Sequence, residues 1–357
     1  MLDKRNKNKV ILIGPYPPPY GGIGVHICRV SALMCDEFTF DFIDESKVKK
    51  EGIFNILSFN IFKYFAILRN CDIIHVHSSD YRLRFFHLIC AKILRRKTII
   101  TVHSYKSIPK FLRKGLDNFS FYNSDLLIAV SEEISEKIGY SALVKEAFIP
   151  PLIESQDNLP DFLVKWINAR KGQKYTVCCG NAWKLDEFNN EDLYGLDLCI
   201  NAAIEFRRRN INIAFVFIVC TPGGKISIQK YKNTIEDNDL HSSFLLYESP
   251  LSFVALASKC DTVIRPTNTD GDALTIREGL FLKKQVVASD VVQRPPGTIL
   301  FRNRDVNAFM ECLIACHNAD DNTLHEVIAD PVLDAMKTYK DFYKKIYALD
   351  ATSNSGF

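Results

Sequence analysis

Short, dense apolar runs separated by amphipathic stretches repeat along this chain. Lys9–Ile13, Phe38–Ile43, Asp72–His77, Thr98–Val102 and Leu126–Val130 read as strands. Between them apolar residues recur at helical spacing, as in the stretch 81–97, YRLRFFHLICAKILRRK. A further strand is expected near Phe148. Ile149-Pro-Pro-Leu-Ile153 and the polar stretch Glu154–Pro160 then interrupt the pattern as a linker. It resumes with strands at Tyr175–Asn181, Ala214–Cys220, Phe244–Tyr247, up to Val263, at Gln285–Ala288 and after the Arg294-Pro-Pro-Gly turn. Helices are expected from Tyr194, from Ala273 and over Ala335–Ala348. Strands and helices alternating in two halves predict an α/β fold with parallel sheets, and 357 residues are enough for two such cores.

Composition narrows this further. A hydrophobic fraction of 47% and a charged fraction of 24% are those of a globular protein. No apolar run approaches the roughly 20 residues that span a bilayer, and MLDKRNKNK leads straight into a strand without the pattern of a secretory signal. Eleven scattered cysteines show no paired spacing, so neither a disulfide framework nor a zinc site is expected and the compartment reads as reducing cytosol. The net charge of +3 hides an asymmetry. Residues 1–150 hold 22 Lys and Arg against 15 Asp and Glu, or +7, and the remainder 23 against 27, or −4. Within 81–115, ten cations including Arg82, Arg84, Lys92 and Lys106 are interleaved with Phe85, Phe86, Ile93 and Phe111. This composition fits either an anionic membrane surface or a solvated face over a core. Nucleic acid fits less well, for want of a binding motif.

Three stretches carry candidate chemistry. The first is Val263–Asp290, VIRPTNTDGDALTIREGLFLKKQVVASD: a strand end, a polar loop, a helix and a second strand. Asp272 would cap a helix starting at Ala273, leaving the amides of Ala273, Leu274 and Thr275 at the positive end of the helix, where a phosphate is stabilised. Asp270 and Glu278, with seven residues between them, bracket that end. Ordinary turn, cap and surface helix residues give the same pattern. The second is Gly14-Pro-Tyr-Pro-Pro-Pro-Tyr-Gly-Gly-Ile-Gly24, where Gly21, Gly22 and Gly24 would let backbone approach a ligand. The loop is too long for the dinucleotide fingerprint, which sets a nicotinamide-dependent dehydrogenase aside. The third is the pair of strand ends at His75-Val-His77 and Thr101-Val-His103, the edge at which parallel sheets collect ligands. A histidine at a strand end is also a common structural hydrogen-bonding residue.

Taken in order, these stretches resemble the retaining glycosyltransferases of family 4, which have the GT-B fold of two Rossmann-like domains with an inter-domain cleft. The resemblance spans nearly the whole chain and is strongest at 263–290, where Asp270 stands in place of the family's usual Glu. It implies an N-terminal acceptor-side domain, 1–153, a nucleotide-sugar domain, 154–334, and a terminal helix, 335–357, crossing back to the first. It implies that Asp270, Gly271, Asp272 and Ala273 face the donor sugar, that the Leu274 and Thr275 amides hold the diphosphate, that Glu278 binds the ribose, and that His103 lies beside the transferred sugar. The Gly21, Gly22 and Gly24 loop would lie against donor phosphates and acceptor. The family usually has Arg and Lys where Asn181 and Tyr194 stand here; Lys184, Arg265 and Arg277 are the candidate replacements, with an ion pair to the acids as their competing role.

The resemblance therefore implies a retaining transferase that moves a hexose or N-acetylhexosamine from a nucleotide diphosphate sugar, UDP-linked by expectation, to a glycan acceptor. Neither metal nor cofactor is expected. The basic first half points to a lipid-linked acceptor at the inner membrane face, as in bacterial surface polysaccharide (O-antigen or capsule) synthesis. A donor-binding protein without catalysis, and a GT-B epimerase or phosphorylase, share the fold and stay open.

Overall fold

The computed structural model describes residues 8–18, 21–105, 111–151, 159–271, 273–319 and 331–347, with backbone alone at 111–113, 331–336 and 338–339. Asp272, Lys106 and Lys110, and nearly all of the Glu154–Pro160 linker, lie outside the described residues, as do the side chains of Phe111, Leu112 and Arg113. The chain divides into two compact units, Met1–Leu152 with Asp334–Phe357, and Ile153–Leu333.

In the first unit the elements run β1 (Lys9–Gly14), α1 (Gly22–Met34), β2 (Thr39–Asp44), β3 (Phe54–Asn55), α2 (Ile61–Arg69), β4 (Ile73–Val76), α3 (Tyr81–Ile93), β5 (Lys97–Val102), α4 (Phe111–Asn123), β6 (Leu126–Ala129), α5 (Glu132–Ile138) and β7 (Leu143–Val144). All seven strands are parallel, in the order β3-β2-β1-β4-β5-β6-β7. One face packs on α2 to α5 through Tyr64, Leu68, Cys90, Ala91, Phe121 and Ile138. The other packs on α1 through Ile27 and Val30, and on the terminal helix through Tyr343, Ile346 and Tyr347. Burial on both faces explains why these strands read as unbroken apolar runs. The strand expected near Phe148 does not form. The ladder ends where Lys145 N–H donates to the Ala129 carbonyl, and Pro150 and Pro151 have no N–H with which to extend it.

The second unit runs α6 (Asp161–Gly172), β8 (Thr176–Ala182), a two-strand hairpin β9 (Glu187–Phe188) and β10 (Glu191–Asp192), α7 (Leu196–Arg208), β11 (Ile213–Val219), α8 (Ile228–Asp237), β12 (Phe244–Tyr247), α9 (Phe253–Lys259), β13 (Thr262–Arg265), α10 (Leu274–Phe281), β14 (Gln285–Ser289), β15 (Thr298–Phe301) and α11 (Val306–Asn318). Then α12 (Pro331–Tyr347) follows, most of it with the first unit. The sheet is again all parallel, β12-β11-β8-β13-β14-β15. Both sheets grow outward in two directions from their first strand, so each has a switch point, between β1 and β4 and between β8 and β13. There the connections diverge and leave a crevice at the strands' carboxyl ends.

Candidate functional site

In the second unit the switch point lies between the ends of β8 and β13, where Asn181 and Arg265 come together. Arg265 Nη1 sits 3.4 Å from both the carbonyl and the side-chain oxygen of Asn181. Its guanidinium lies 5.4 Å from the centre of the Tyr194 ring. Arg265 thus occupies the space between Asn181 and Tyr194, the two positions at which the resemblance leads one to expect cations. Lys184 is turned elsewhere, paired with Asp186 at 3.0 Å.

Asp270 follows β13 by one short loop and is bound by that same arginine. Arg265 donates to it bidentately, Nε to Oδ2 at 2.9 Å and Nη2 to Oδ1 at 3.0 Å. Arg294 Nη1 adds a bond to Oδ2 at 2.9 Å, Thr267 Oγ1 one at 3.0 Å, and the Gly271 amide one to Oδ1 at 3.0 Å. Burial alone would raise the Asp270 pKa; the Arg265 and Arg294 guanidiniums outweigh it and bring it down to about 2. Arg294 is nearly enclosed and is held from behind by the Ser289 carbonyl at 3.1 Å. By sequence alone Arg294 is a turn residue. Its signal was an arginine just beyond β14 with acids nearby, and its partner, 24 positions away, is set by the strand order.

Helix α10 begins at Leu274, with Ala273 as its N-cap, one residue later than the pattern predicts, and no side-chain cap among the described residues. The first-turn amides of a helix, here those of Leu274 and Thr275, have no acceptor within the helix. The Thr275 hydroxyl is likewise buried without a hydrogen-bond partner among the described residues. Glu278, in the second turn, is buried at 3% exposure and shares the helix face of Leu274.

Helix α7, which follows the other switch-point strand β8, is already supplied with an anion. Asp192 Oδ1 accepts the Tyr194 and Gly195 amides at 2.8 and 3.1 Å, and Tyr231 donates to Asp192 Oδ2 at 2.6 Å. Its N-cap Gly195 has φ 71°, and a Cβ there would lie 2.1 Å from the Pro266 carbonyl oxygen, so this corner accepts only glycine. Of the two helices that follow the switch-point strands β8 and β13, α10 is therefore the one without a side-chain cap among the described residues.

In the first unit, Gly21 caps α1 without a side-chain bond, and a Cβ at Gly21 or Gly22 would meet nothing within 4 Å. Gly24 differs: a Cβ there would lie 2.8 Å from the Pro15 carbonyl oxygen, so it is the protein's own loop that approaches this glycine. Beside the switch point the topology gathers histidines. His77 Nδ1 is 3.0 Å from His103 Nε2, and the ring of His26 on α1 lies 4.8 Å from that of His103. His26 Nδ1 bonds the Ala147 carbonyl at 2.7 Å, which requires the proton on Nδ1 and leaves Nε2 to face the Tyr343 hydroxyl at 3.2 Å. His75 is spent between Tyr347 and Thr101, each at 2.8 Å. Burial, reinforced by the neighbouring imidazoles, lowers the pKa of His75, His77 and His103 well below the usual 6.5; burial, with a smaller push from Arg29, takes His26 to about 4. All four are neutral at pH 7. One ring nitrogen from each of His26, His77 and His103 lies within 4.8 Å of the others, and neutral imidazoles in that number could hold a soft divalent cation. The sequence does not single out His26, because nothing local connects it to strands β4 and β5.

The basic stretch 81–115 is less of a surface than its composition implies. Arg84 is buried against Asp117 at 3.3 Å and over the Phe121 ring at 5.1 Å, because it falls on the inward side of α3. Arg82 is paired with Asp80 and Lys92 with Asp125.

No protein-family model matches the chain, and no curated protein matches it in sequence. The likeness to known proteins is structural. Anabaena Alr3699/HepE, solved in complex with UDP, superposes with a TM-score of 0.65 at 14% identity, over 96% of this chain and 100% of that one. A glycosyltransferase from Rickettsia africae gives 0.67 at 16% identity, over 97% and 100%. The lipopolysaccharide outer core galactosyltransferase WaaB gives 0.55 at 15%, over 95% and 99%. With two all-parallel sheets of seven and six strands, this chain has the α/β fold of the GT-B glycosyltransferases.

Proposed function

We propose that this protein is a retaining glycosyltransferase that moves a hexose or N-acetylhexosamine from a UDP-sugar to a glycan acceptor. The observation that carries the reading is the α10 end. First-turn amides without a side-chain cap and a Thr275 hydroxyl without a partner among the described residues, a buried Glu278 and the Arg265 guanidinium stand together at the switch point of the second sheet. That combination suits a diphosphate with a sugar on either side. The UDP bound in the HepE complex, and the likeness to the Rickettsia glycosyltransferase and the galactosyltransferase WaaB, support the same ligand class.

In this reading the donor diphosphate draws Arg265 from Asp270. The guanidinium then neutralises the leaving group in place of the family's Arg and Lys, and the released carboxylate orients the sugar hydroxyls. Glu278 holds the ribose, and His103, kept neutral, contacts the sugar. The bond from the anomeric carbon to the diphosphate oxygen breaks as the acceptor hydroxyl attacks the same face; its proton passes to the departing phosphate oxygen, and configuration is retained. No metal is assigned to this chemistry, so transfer should persist in excess chelator. The acceptor is proposed to be a lipid-linked glycan at the cytoplasmic membrane face, in bacterial surface polysaccharide synthesis. No helix among the described residues is long and apolar enough to cross a membrane.

The test is a thermal-shift screen against UDP, GDP, ADP, dTDP and their sugars, repeated with Asp270→Ala and Glu278→Ala. A ligand that binds the native state raises the melting temperature. A shift with UDP compounds that Glu278→Ala weakens supports the donor site, and no shift with any nucleotide refutes it. Asn181 and Tyr194 favour one second reading, a donor-binding protein without turnover, which would show the shift but release no UDP with any acceptor. Among GT-B alternatives, a phosphorylase would need inorganic phosphate and an epimerase would release free epimerised sugar.

A further inference from the structure

The two most exposed large apolar residues among those described are Phe59 and Phe62, at 86% and 87%, and Leu57 and Ile61 beside them are 40% and 43% exposed. Four large apolar side chains in six consecutive positions face water. A contiguous patch of this kind on a monomer marks a contact surface.

The segment is held firmly in that pose. Asn55 is buried, bonded to Asp44 and to the Ser46 carbonyl, and its side-chain oxygen accepts the Leu57 amide at 2.8 Å. Asn60 caps α2 by accepting the Lys63 amide at 3.0 Å. Between these two caps Phe59 adopts a left-handed conformation, φ 54°, with its N–H on the Ile56 carbonyl. A bulky non-glycine residue in that region is uncommon. The two phenylalanines therefore project from a fixed turn rather than from a slack loop.

Charge chooses the partner. From Ser46 to Lys63 the chain has four lysines and one acid, Glu51. Lys50 is consumed by Asp44, while Lys47, Lys49 and Lys63 are exposed. The Ser46–Val48 turn is tied to Asn55, so these lysines flank the apolar turn. A second copy meeting this patch through two-fold symmetry would set lysine against lysine. An anionic lipid surface instead accepts aromatic side chains at the headgroup level and lysines around them. We infer that the turn Leu57–Phe62, with Lys47, Lys49 and Lys63 around it, inserts into the headgroup region of an anionic phospholipid bilayer.

The placement gives the contact a purpose. The turn leaves the carboxyl end of β3, and β3 runs parallel to the strands whose carboxyl ends carry His77 and His103. The membrane would thus meet the first unit along the edge that carries its candidate site. That purpose rests on the lipid-linked acceptor proposed above; the contact itself does not.

The experiment is co-sedimentation of the full chain with phosphatidylcholine vesicles, with and without phosphatidylglycerol. Wild type is compared with Phe59→Ser/Phe62→Ser and with Lys47→Glu/Lys49→Glu, alongside light scattering and UDP melting curves. The expected result is wild-type binding to the anionic vesicles. The double-phenylalanine variant should lower the partition coefficient about tenfold or more. The lysine variant should lower it roughly fivefold for each charge removed, on anionic vesicles only. Melting temperatures should not change, since these side chains contribute nothing to the core. Wild type remaining in the supernatant overturns the inference, as does a serine variant that binds like wild type. A dimer that the serine variant dissolves, without vesicle binding, assigns the patch to a second copy instead. Vesicle binding by a wild-type protein that ignores UDP would sink the donor reading and leave this inference standing.

Discussion

Replacing Asp270 by Asn tests how the anion loop is held. The carboxylate accepts five hydrogen bonds, three of them from two guanidiniums, and Arg294 has almost no access to water. Its pKa of about 2, against an ordinary 3.8, means that the folded state prefers the charged form by about 2 kcal/mol. The variant loses that preference and leaves two enclosed cations short of a counter-charge, a change that typically costs about 3–5 kcal/mol. Both tryptophans, Trp166 and Trp183, lie in the second unit, so urea unfolding followed by tryptophan emission reads this unit alone. At pH 7 the midpoint should fall by the equivalent of about 3 kcal/mol. The pH dependence supplies a second check. Because the folded pKa is depressed, the stabilisation is complete above 3.8 and is lost as pH falls through about 2. The gap between wild type and variant should therefore shrink between pH 4 and pH 2. A variant within 0.5 kcal/mol of wild type at pH 7, or a gap that does not change with pH, would refute the electrostatic account.

Three other outcomes follow from the same geometry. Arg265→Met should weaken UDP binding by about tenfold or more in calorimetry, with Arg265→Lys intermediate, because a lysine supplies charge without the bidentate fork. Acid should loosen the first unit before the second. His26, His75, His77 and His103 are neutral when folded and take up protons when unfolded, so stability is full above pH 6.5 and falls as the pH drops towards about 4; the protection factors of amides in β4 and β5, corrected for the intrinsic slowing of exchange in acid, should fall over that window, and protection factors unchanged down to pH 4 would contradict the histidine assignments. Gly195→Ala, which sets a Cβ against the Pro266 carbonyl at positive φ, should cost the second unit about 1–3 kcal/mol or more in the same urea assay.

Much of this protein is legible in the order of its residues, and the reason is that the relevant physics is local. Strands such as β11, buried on both faces, appear as apolar runs, and helices such as α7 as 3.6-residue stripes, because those periods are fixed by backbone geometry. Their alternation is enough to give two parallel-sheet halves. The Asp270 loop and the helix carrying Glu278 are likewise neighbours in sequence, so the spacing of the acid pair and the helix start between them could be read directly. The partners of these groups could not. Arg294 reaches Asp270, Arg265 lies between Asn181 and Tyr194, and His26 joins His77 and His103 only once the strand order has brought distant segments to one sheet edge. Which way a charged side chain turns is also decided by packing: Arg84 belongs by composition to a basic face but is buried against Asp117, while Phe59 and Phe62, apolar in pattern, are left in water. Periodicity along the chain assigns elements and faces; ion pairs, shared protons and exposed turns depend on three-dimensional neighbours, which the tertiary structure alone supplies.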